Sequence, residues 1–149
     1  MIDTVAVSEQ SPIEKFVEVY QAVGKDNLET LGSIYSEDIL FEDPAHRIEG
    51  YDNLARYFGN LYENMLECRF DVHTYAVNGD VAFLNWTMTF AHQKLSNGAT
   101  RKMEGSTMLT FRNGMVVRHK DYFDLGCMIY ETVPVMGSVI RYIKKRMAE

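Results

Sequence analysis

The sequence predicts an α+β fold: three N-terminal helices packed on a curved antiparallel sheet to form a cone, with a C-terminal helical extension. Three observations carry that prediction. Apolar residues recur at helical spacing in the first third of the chain, alternate with period two through much of 69–124, and return to helical spacing after Gly126. Asn78-Gly79, Asn97-Gly98 and Asn113-Gly114 punctuate the middle region, and Asn-Gly steps between alternating runs signal hairpins. At 149 residues and 46% hydrophobic content, the chain is long enough to bury about two thirds of its unfolded surface as one domain.

The elements follow in order. Residues 1–11 read as a flexible start. Ser11-Pro12 pairs a hydroxyl cap with proline at the first helical position, and Ile13, Phe16, Val17, Tyr20 and Val23 then line one helix face. Gly24-Lys25-Asp26 breaks that helix, and Asn27 caps a second with Leu28, Leu31, Ile34 and Tyr35 as its apolar side. A short strand over 39–44 stops at Pro44, which has no N–H for a ladder. A third helix follows Gly50, with Tyr51, Leu54, Tyr57, Phe58, Leu61, Tyr62 and Met65 along its stripe. Four strands occupy 69–77, 81–91, 100–112 and 115–124. The domain spans 12–125, and 126–149 is a helical extension interrupted at Pro134 and Gly137, with Val139, Ile140, Ile143 and Met147 as its apolar face.

The last strand holds the most informative residue. Side chains alternate across a strand, so Val117, His119, Asp121 and Phe123 share one face, and that face reads as buried. An unpaired buried carboxylate costs several kcal/mol or takes up a proton, so Asp121 there points to pairing or chemistry. A curved sheet only partly covered by helices leaves a cavity on its concave side, a common form of small-molecule site.

Charge and composition exclude other classes. A net charge of −6 without a basic, aromatic-interleaved stripe argues against nucleic acid. Lys144-Lys145-Arg146 reads as cations at the negative end of a helix dipole, with membrane-surface docking the lesser alternative. Neither a secretory signal nor a spanning stretch is present, and Cys68 and Cys127 read as reduced thiols, so a cytoplasmic chain is expected. No His, Cys, Asp or Glu spacing suggests a metal, and no cofactor is expected.

The order of elements, with the string Ile34-Tyr35-Ser36-Glu37-Asp38-Ile39-Leu40-Phe41-Glu42-Asp43-Pro44, Gly50 at the third helix, and Asp121-Tyr122-Phe123-Asp124, resembles the superfamily of nuclear transport factor 2, ketosteroid isomerase and SnoaL-like polyketide cyclases over residues 12–125. The resemblance implies an NTF2-like cone with a pocket, a homodimer formed through the convex sheet face, and an activity that the fold alone does not fix. In ketosteroid isomerases the base is the aspartate of a Glu-Asp-Pro string, which falls on Asp43. The oxyanion donors fall nearest Tyr20, one residue out of register, and Thr107, where the family has a carboxylic acid. Limonene-epoxide hydrolases share an Asp-Tyr-Phe-Asp-Leu string whose first aspartate falls on Asp121. Their tyrosine and asparagine fall on Phe41 and Asp43, and their Arg-x-Asp pair on Asn85 with Thr87 or on Trp86 with Met88.

Asp43 is thus a candidate general base, or else a turn residue bonded to nearby amides. Asp121 with His119 is a candidate acid-base pair, or a carboxylate merely satisfied by internal hydrogen bonds, and the two aspartates together would make a two-carboxylate site whose titrations are pushed apart. Tyr20 could polarise a developing oxyanion, or be core. Phe41, Phe58, Trp86, Met88, Met103, Thr107 and Phe123 are the expected ligand contacts, with His46 and Arg47 near the mouth. The expected ligand is a lipophilic small molecule. The leading expectation is cofactor-free acid-base chemistry on a lipophilic carbonyl compound by isomerisation, cyclisation or dehydration. The rivals are a non-catalytic binding module and an epoxide hydrolase.

Overall fold

The computed structural model describes residues 9–130 and 133–148. Helix α1 (Pro12–Ala22) opens with a reciprocal cap: the Ser11 hydroxyl accepts from the Glu14 amide, and the Glu14 carboxylate accepts from the Ser11 amide. Its Ile13, Phe16 and Tyr20 are buried. A 3-10 turn (Leu28–Ser33) leads to β1 (Tyr35–Glu42), β2 (Arg47–Glu49), α2 (Tyr51–Asn64), then β3 (Met65–Asn78), β4 (Val81–His92), β5 (Arg101–Arg112) and β6 (Met115–Phe123). The short α3 (Leu125–Met128) and α4 (Met136–Met147) complete the chain.

Six strands form one sheet in the order β2-β1-β6-β5-β4-β3. β3 to β6 make the expected antiparallel meander, but β1 pairs parallel to β6, so the sheet is mixed rather than antiparallel throughout. Helices α1 and α2 cover part of its concave face. The core runs from Phe16 and Leu54 on the helices to Ile39, Trp86, Leu109 and Val116 on the strands.

Four local expectations are corrected. The second helix is a 3-10 turn, and Tyr35 belongs to β1, because Ile34 and Tyr35 find ladder partners beside Val116. The helical stripe ends before Met65, whose backbone pairs with His92. Residues 47–49, read as loop, add an edge strand against β1. Within β6, Val116 rather than Val117 is fully buried, because the register with β5 shifts between Thr110 and Phe111 and turns the strand's faces over before His119. The expected flexible start lies mostly outside the described residues.

Candidate functional site

The sheet register gathers the site. Phe41 of β1 lies beside His119 of β6, Thr107 of β5 faces Asp121 of β6, Gly105 faces Phe123, and Trp86 of β4 faces Gly105. Partners in a ladder share a face, so these residues form neighbouring rows on the concave side. Asp43 follows directly on the end of β1, whose last pair with β6 is Glu42↔Lys120, next to Asp121.

Between this wall and the helices lies a cavity of about 220 Å³. Phe41, Phe58, Trp86, Met88, Met103 and Phe123 line it, as do Tyr20, Asp43 and Asp121. His119 and Thr107 do not. His119 is fully enclosed among the rings of Phe16, Tyr20, Tyr35 and Phe41, and Thr107 is buried between Trp86 and Asp121. Both were expected to touch a ligand; they stand behind Asp121, each hydrogen-bonded to its Oδ1, and do not reach the cavity wall. Sequence reasoning missed Tyr57, Leu61, Leu95 and the segment Leu125 to Ile129, which close the remaining wall and mouth. The apolar face of α2 carried a signal for Tyr57 and Leu61. The α3 contacts carried none, since nothing in a short post-strand segment says which way it folds back.

Asp121 is the centre of a directed hydrogen-bond chain. The Trp86 indole N–H donates to Thr107 Oγ1 at 2.8 Å, so the Thr107 hydroxyl must donate onward, and it does so to Asp121 Oδ1 at 2.5 Å. His119 Nε2 lies 2.7 Å from the same oxygen, and the Tyr35 hydroxyl lies 2.8 Å from His119 Nδ1. With Asp121 as a carboxylate and His119 neutral, Nε2–H donates to Asp121 and the bare Nδ1 accepts from Tyr35. Asp121 Oδ2 takes no hydrogen bond among the described residues and faces the cavity. The Tyr20 hydroxyl is likewise without a partner there, on the same cavity. Burial first, and then the charge of Asp121, push the Tyr20 and Tyr35 hydroxyls well above the ordinary tyrosine range, which keeps both as proton donors.

Asp43 is wired in the opposite sense. Its Oδ1 accepts from the amides of Ala45 at 2.8 Å and His46 at 2.7 Å and from His46 Nδ1 at 3.0 Å, while Oδ2 accepts from Tyr57 at 3.3 Å. Tyr57 is pushed up by burial, by the charge and hydrogen bond of Asp43, and further by Asp121, so both carboxylates act on one hydroxyl. The carboxylate of Asp43 is therefore occupied, whereas its partner His46 is half exposed at the mouth with Nε2 unengaged among the described residues. In the inner Asp–His pair the carboxylate keeps a free atom; in the outer pair the imidazole does.

The outer row of β4 sends Asn85 and Thr87 away from the cavity, where Asn85 accepts from the Thr74 amide and Thr87 bonds His73, while Trp86 and Met88 face in. Arg47, expected near the mouth, pairs with Glu42 and Glu49 instead. Among the described residues no three His, Cys, Asp or Glu side chains group as a metal site, and no helix is long and apolar enough to cross a membrane.

A family model for the SnoaL-like domain matches residues 14–119. Among solved structures, an NTF2-like protein of unknown function from Burkholderia pseudomallei superposes with a TM-score of 0.71 at 18% identity, covering 79% of this chain and 94% of that one. A proposed SnoaL-like polyketide cyclase from Jannaschia sp. gives 0.69 at 15% identity over 79% and 88% of the two chains. TerC, co-crystallised with polyporic acid, gives 0.69 at 17% identity over 78% and 94%. At these identities the likeness is one of fold. No curated protein sequence matches the chain.

Proposed function

This chain belongs to the SnoaL-like domain family, and from that premise we propose that its cavity binds a compact lipophilic carbonyl compound and performs cofactor-free proton transfer on it, as in an isomerisation, cyclisation or dehydration. The observation that carries the reading is the unengaged Oδ2 of Asp121, held in an apolar cavity beside the unengaged hydroxyl of Tyr20.

The chemistry follows from those two atoms. Asp121 Oδ2 takes a proton from the carbon next to the carbonyl, the C–H electron pair passes into the carbonyl system, and the resulting enolate oxygen takes a hydrogen bond from Tyr20. Returning the proton to a different carbon of a conjugated system completes an isomerisation; attack of the enolate carbon on a second carbonyl breaks its C=O π bond, and the resulting alkoxide takes the proton back from Asp121 to complete a cyclisation. His119 and Thr107 anchor Oδ1 and thereby aim Oδ2, so they are positioning residues. His46, oriented through Nδ1 by Asp43, offers Nε2 at the mouth as a second proton-transfer atom, which is the carboxylate–imidazole arrangement of general-base sites. This assigns Asp43 to orienting His46, in place of the direct base that resemblance suggested.

The cavity volume of about 220 Å³ lies below the ~300–1,000 Å³ of drug-sized pockets, so the ligand is small, of one or two rings. The proposed setting is cytoplasmic, where Cys68 and Cys127, both free, stay as thiols. Exposed Phe83 and Tyr122, which share the outer face of the sheet with Asn85, favour a homodimer through that face.

The test is deuterium uptake. Small cyclic ketones such as 2-tetralone, incubated with the protein in heavy water, should exchange the proton next to the carbonyl, and Asp121→Asn should lower the rate by roughly 100- to 10,000-fold. Full exchange in Asp121→Asn would refute the assignment. Saturable quenching of Trp86 by the ketone without exchange would favour a non-catalytic binder.

A further inference from the structure

The apolar side chains that this protein leaves in solvent are concentrated in its last twenty residues. Eight of the thirteen large apolar side chains exposed among the described residues fall between Tyr130 and Met147. In α4 only Ile140 of the expected apolar face packs on the body. Met136, Val139, Ile143 and Met147 follow helical spacing along one side and are 47%, 51%, 50% and 83% exposed. The helix is seated by a different side: Gly137 is its buried residue, Ile140 is half-buried near Gly126, and Lys144 pairs with Asp124 at 2.8 Å. At 100° per residue that seating side is centred about 90° around the helix from the apolar stripe, with Ile140 at the border between them.

Charge distinguishes what the stripe meets. Arg141, Lys144, Lys145 and Arg146 give α4 four of the chain's 15 basic residues, and none of its 21 acidic ones lies in the helix. Lys145 and Arg146 are exposed, and Tyr142, 64% exposed, lies between the stripe and Lys145 around the helix. A second copy packed on this face would bring the exposed Arg146, which adjoins Val139 around the helix, against a like-charged surface. A short amphipathic helix with an apolar stripe, a cation at its edge, further cations and no acid on its polar side, and an aromatic at the border instead fits the boundary of an anionic bilayer.

We propose that α4 docks this protein on an anionic membrane surface, its apolar stripe entering the headgroup boundary. Helix α3, which α4 abuts through Lys144 and Asp124, lines the mouth of the cavity with Leu125 and Met128. Docking therefore sets the mouth beside the bilayer, where a lipophilic ligand accumulates; that last step rests on the ligand class proposed above, whereas the docking does not.

The test is flotation of the full-length protein with vesicles of phosphatidylcholine mixed with phosphatidylglycerol, against phosphatidylcholine alone. Binding to the anionic vesicles, weakened by salt, is expected. The pair Lys145→Glu and Arg146→Glu should lower it by roughly 25-fold or more, about fivefold for each cation lost. Val139→Ser with Ile143→Ser should abolish it. Both pairs lie on exposed positions, and unchanged far-ultraviolet circular dichroism verifies their fold. Failure to float with anionic vesicles at low salt, or flotation indifferent to both pairs, overturns the proposal. So does a dimer in sedimentation that Val139→Ser with Ile143→Ser dissolves, which would give the face to a second copy. Deuterium exchange on 2-tetralone is read without vesicles, so loss of that activity and loss of docking are separable.

Discussion

Replacing Asp121 by alanine and by asparagine separates what its carboxylate does for the fold from what it does for chemistry. In the alanine variant two buried donors, His119 Nε2–H and the Thr107 hydroxyl, lose their shared acceptor. Each unsatisfied buried donor costs about 1–3 kcal/mol, so roughly 2–6 kcal/mol is lost, less the relief of no longer burying a charge. Asparagine keeps an oxygen at the Oδ1 position, so both bonds survive as neutral ones. That change costs about 1 kcal/mol per bond, again offset by the desolvation relief, for a net effect of roughly 0–1.5 kcal/mol. Urea denaturation followed by circular dichroism should therefore rank wild type, then asparagine, then alanine. A gap of about 2 kcal/mol between the variants moves the midpoint by about 1 M at a slope of roughly 2 kcal/mol/M. Both variants should fail the deuterium-exchange assay alike. Equal stability of the two variants within about 0.5 kcal/mol would refute the reasoning, since it would mean that the Tyr35–His119–Asp121–Thr107–Trp86 chain does not hold the site.

Two further outcomes follow from the same packing. A Cβ added at Gly105 would stand 2.3 Å from the Trp86 ring, so Gly105→Ala should displace the indole, break its bond to Thr107 and cost about 1–3 kcal/mol. Thermal melting and the emission of the single tryptophan report it, and wild-type values for both would contradict the close approach. In alkali, Tyr20, Tyr35, Tyr57 and Tyr62 are all held above the ordinary tyrosine range by burial, with Asp121 or Asp43 adding to the first three. The folded chain then keeps protons that the unfolded chain releases above pH ~10, so stability is complete below that pH and falls as pH rises beyond it. Tyrosinate absorbance from these four should appear only together with loss of the native circular dichroism; free titration of all nine tyrosines in a folded chain would contradict it.

Much of this protein is written in local pattern. The capping signal at Ser11-Pro12, the stripe of α2 and the Asn-Gly turns of the meander are short-range features, so they placed the helices and the antiparallel strands without reference to the rest of the chain. Period-two alternation likewise identified His119 and Asp121 as inward residues of one strand. Tertiary pairing decided the rest. Tyr35 follows the helical spacing of Leu28, Leu31 and Ile34, and the parallel ladder with β6 made it a strand residue and set its hydroxyl on His119. Whether an inward carboxylate is free or spent depends on which donors other strands and turns bring to it. Thr107 and His119 claim one oxygen of Asp121 and leave the other, while the turn after Asp43 and Tyr57 of α2 claim both of its oxygens and leave His46 exposed. The sequence by itself determined that two aspartates reach one concave face; only the tertiary structure decided which of them keeps an atom for a ligand, because hydrogen-bond satisfaction is settled by neighbours distant in the chain.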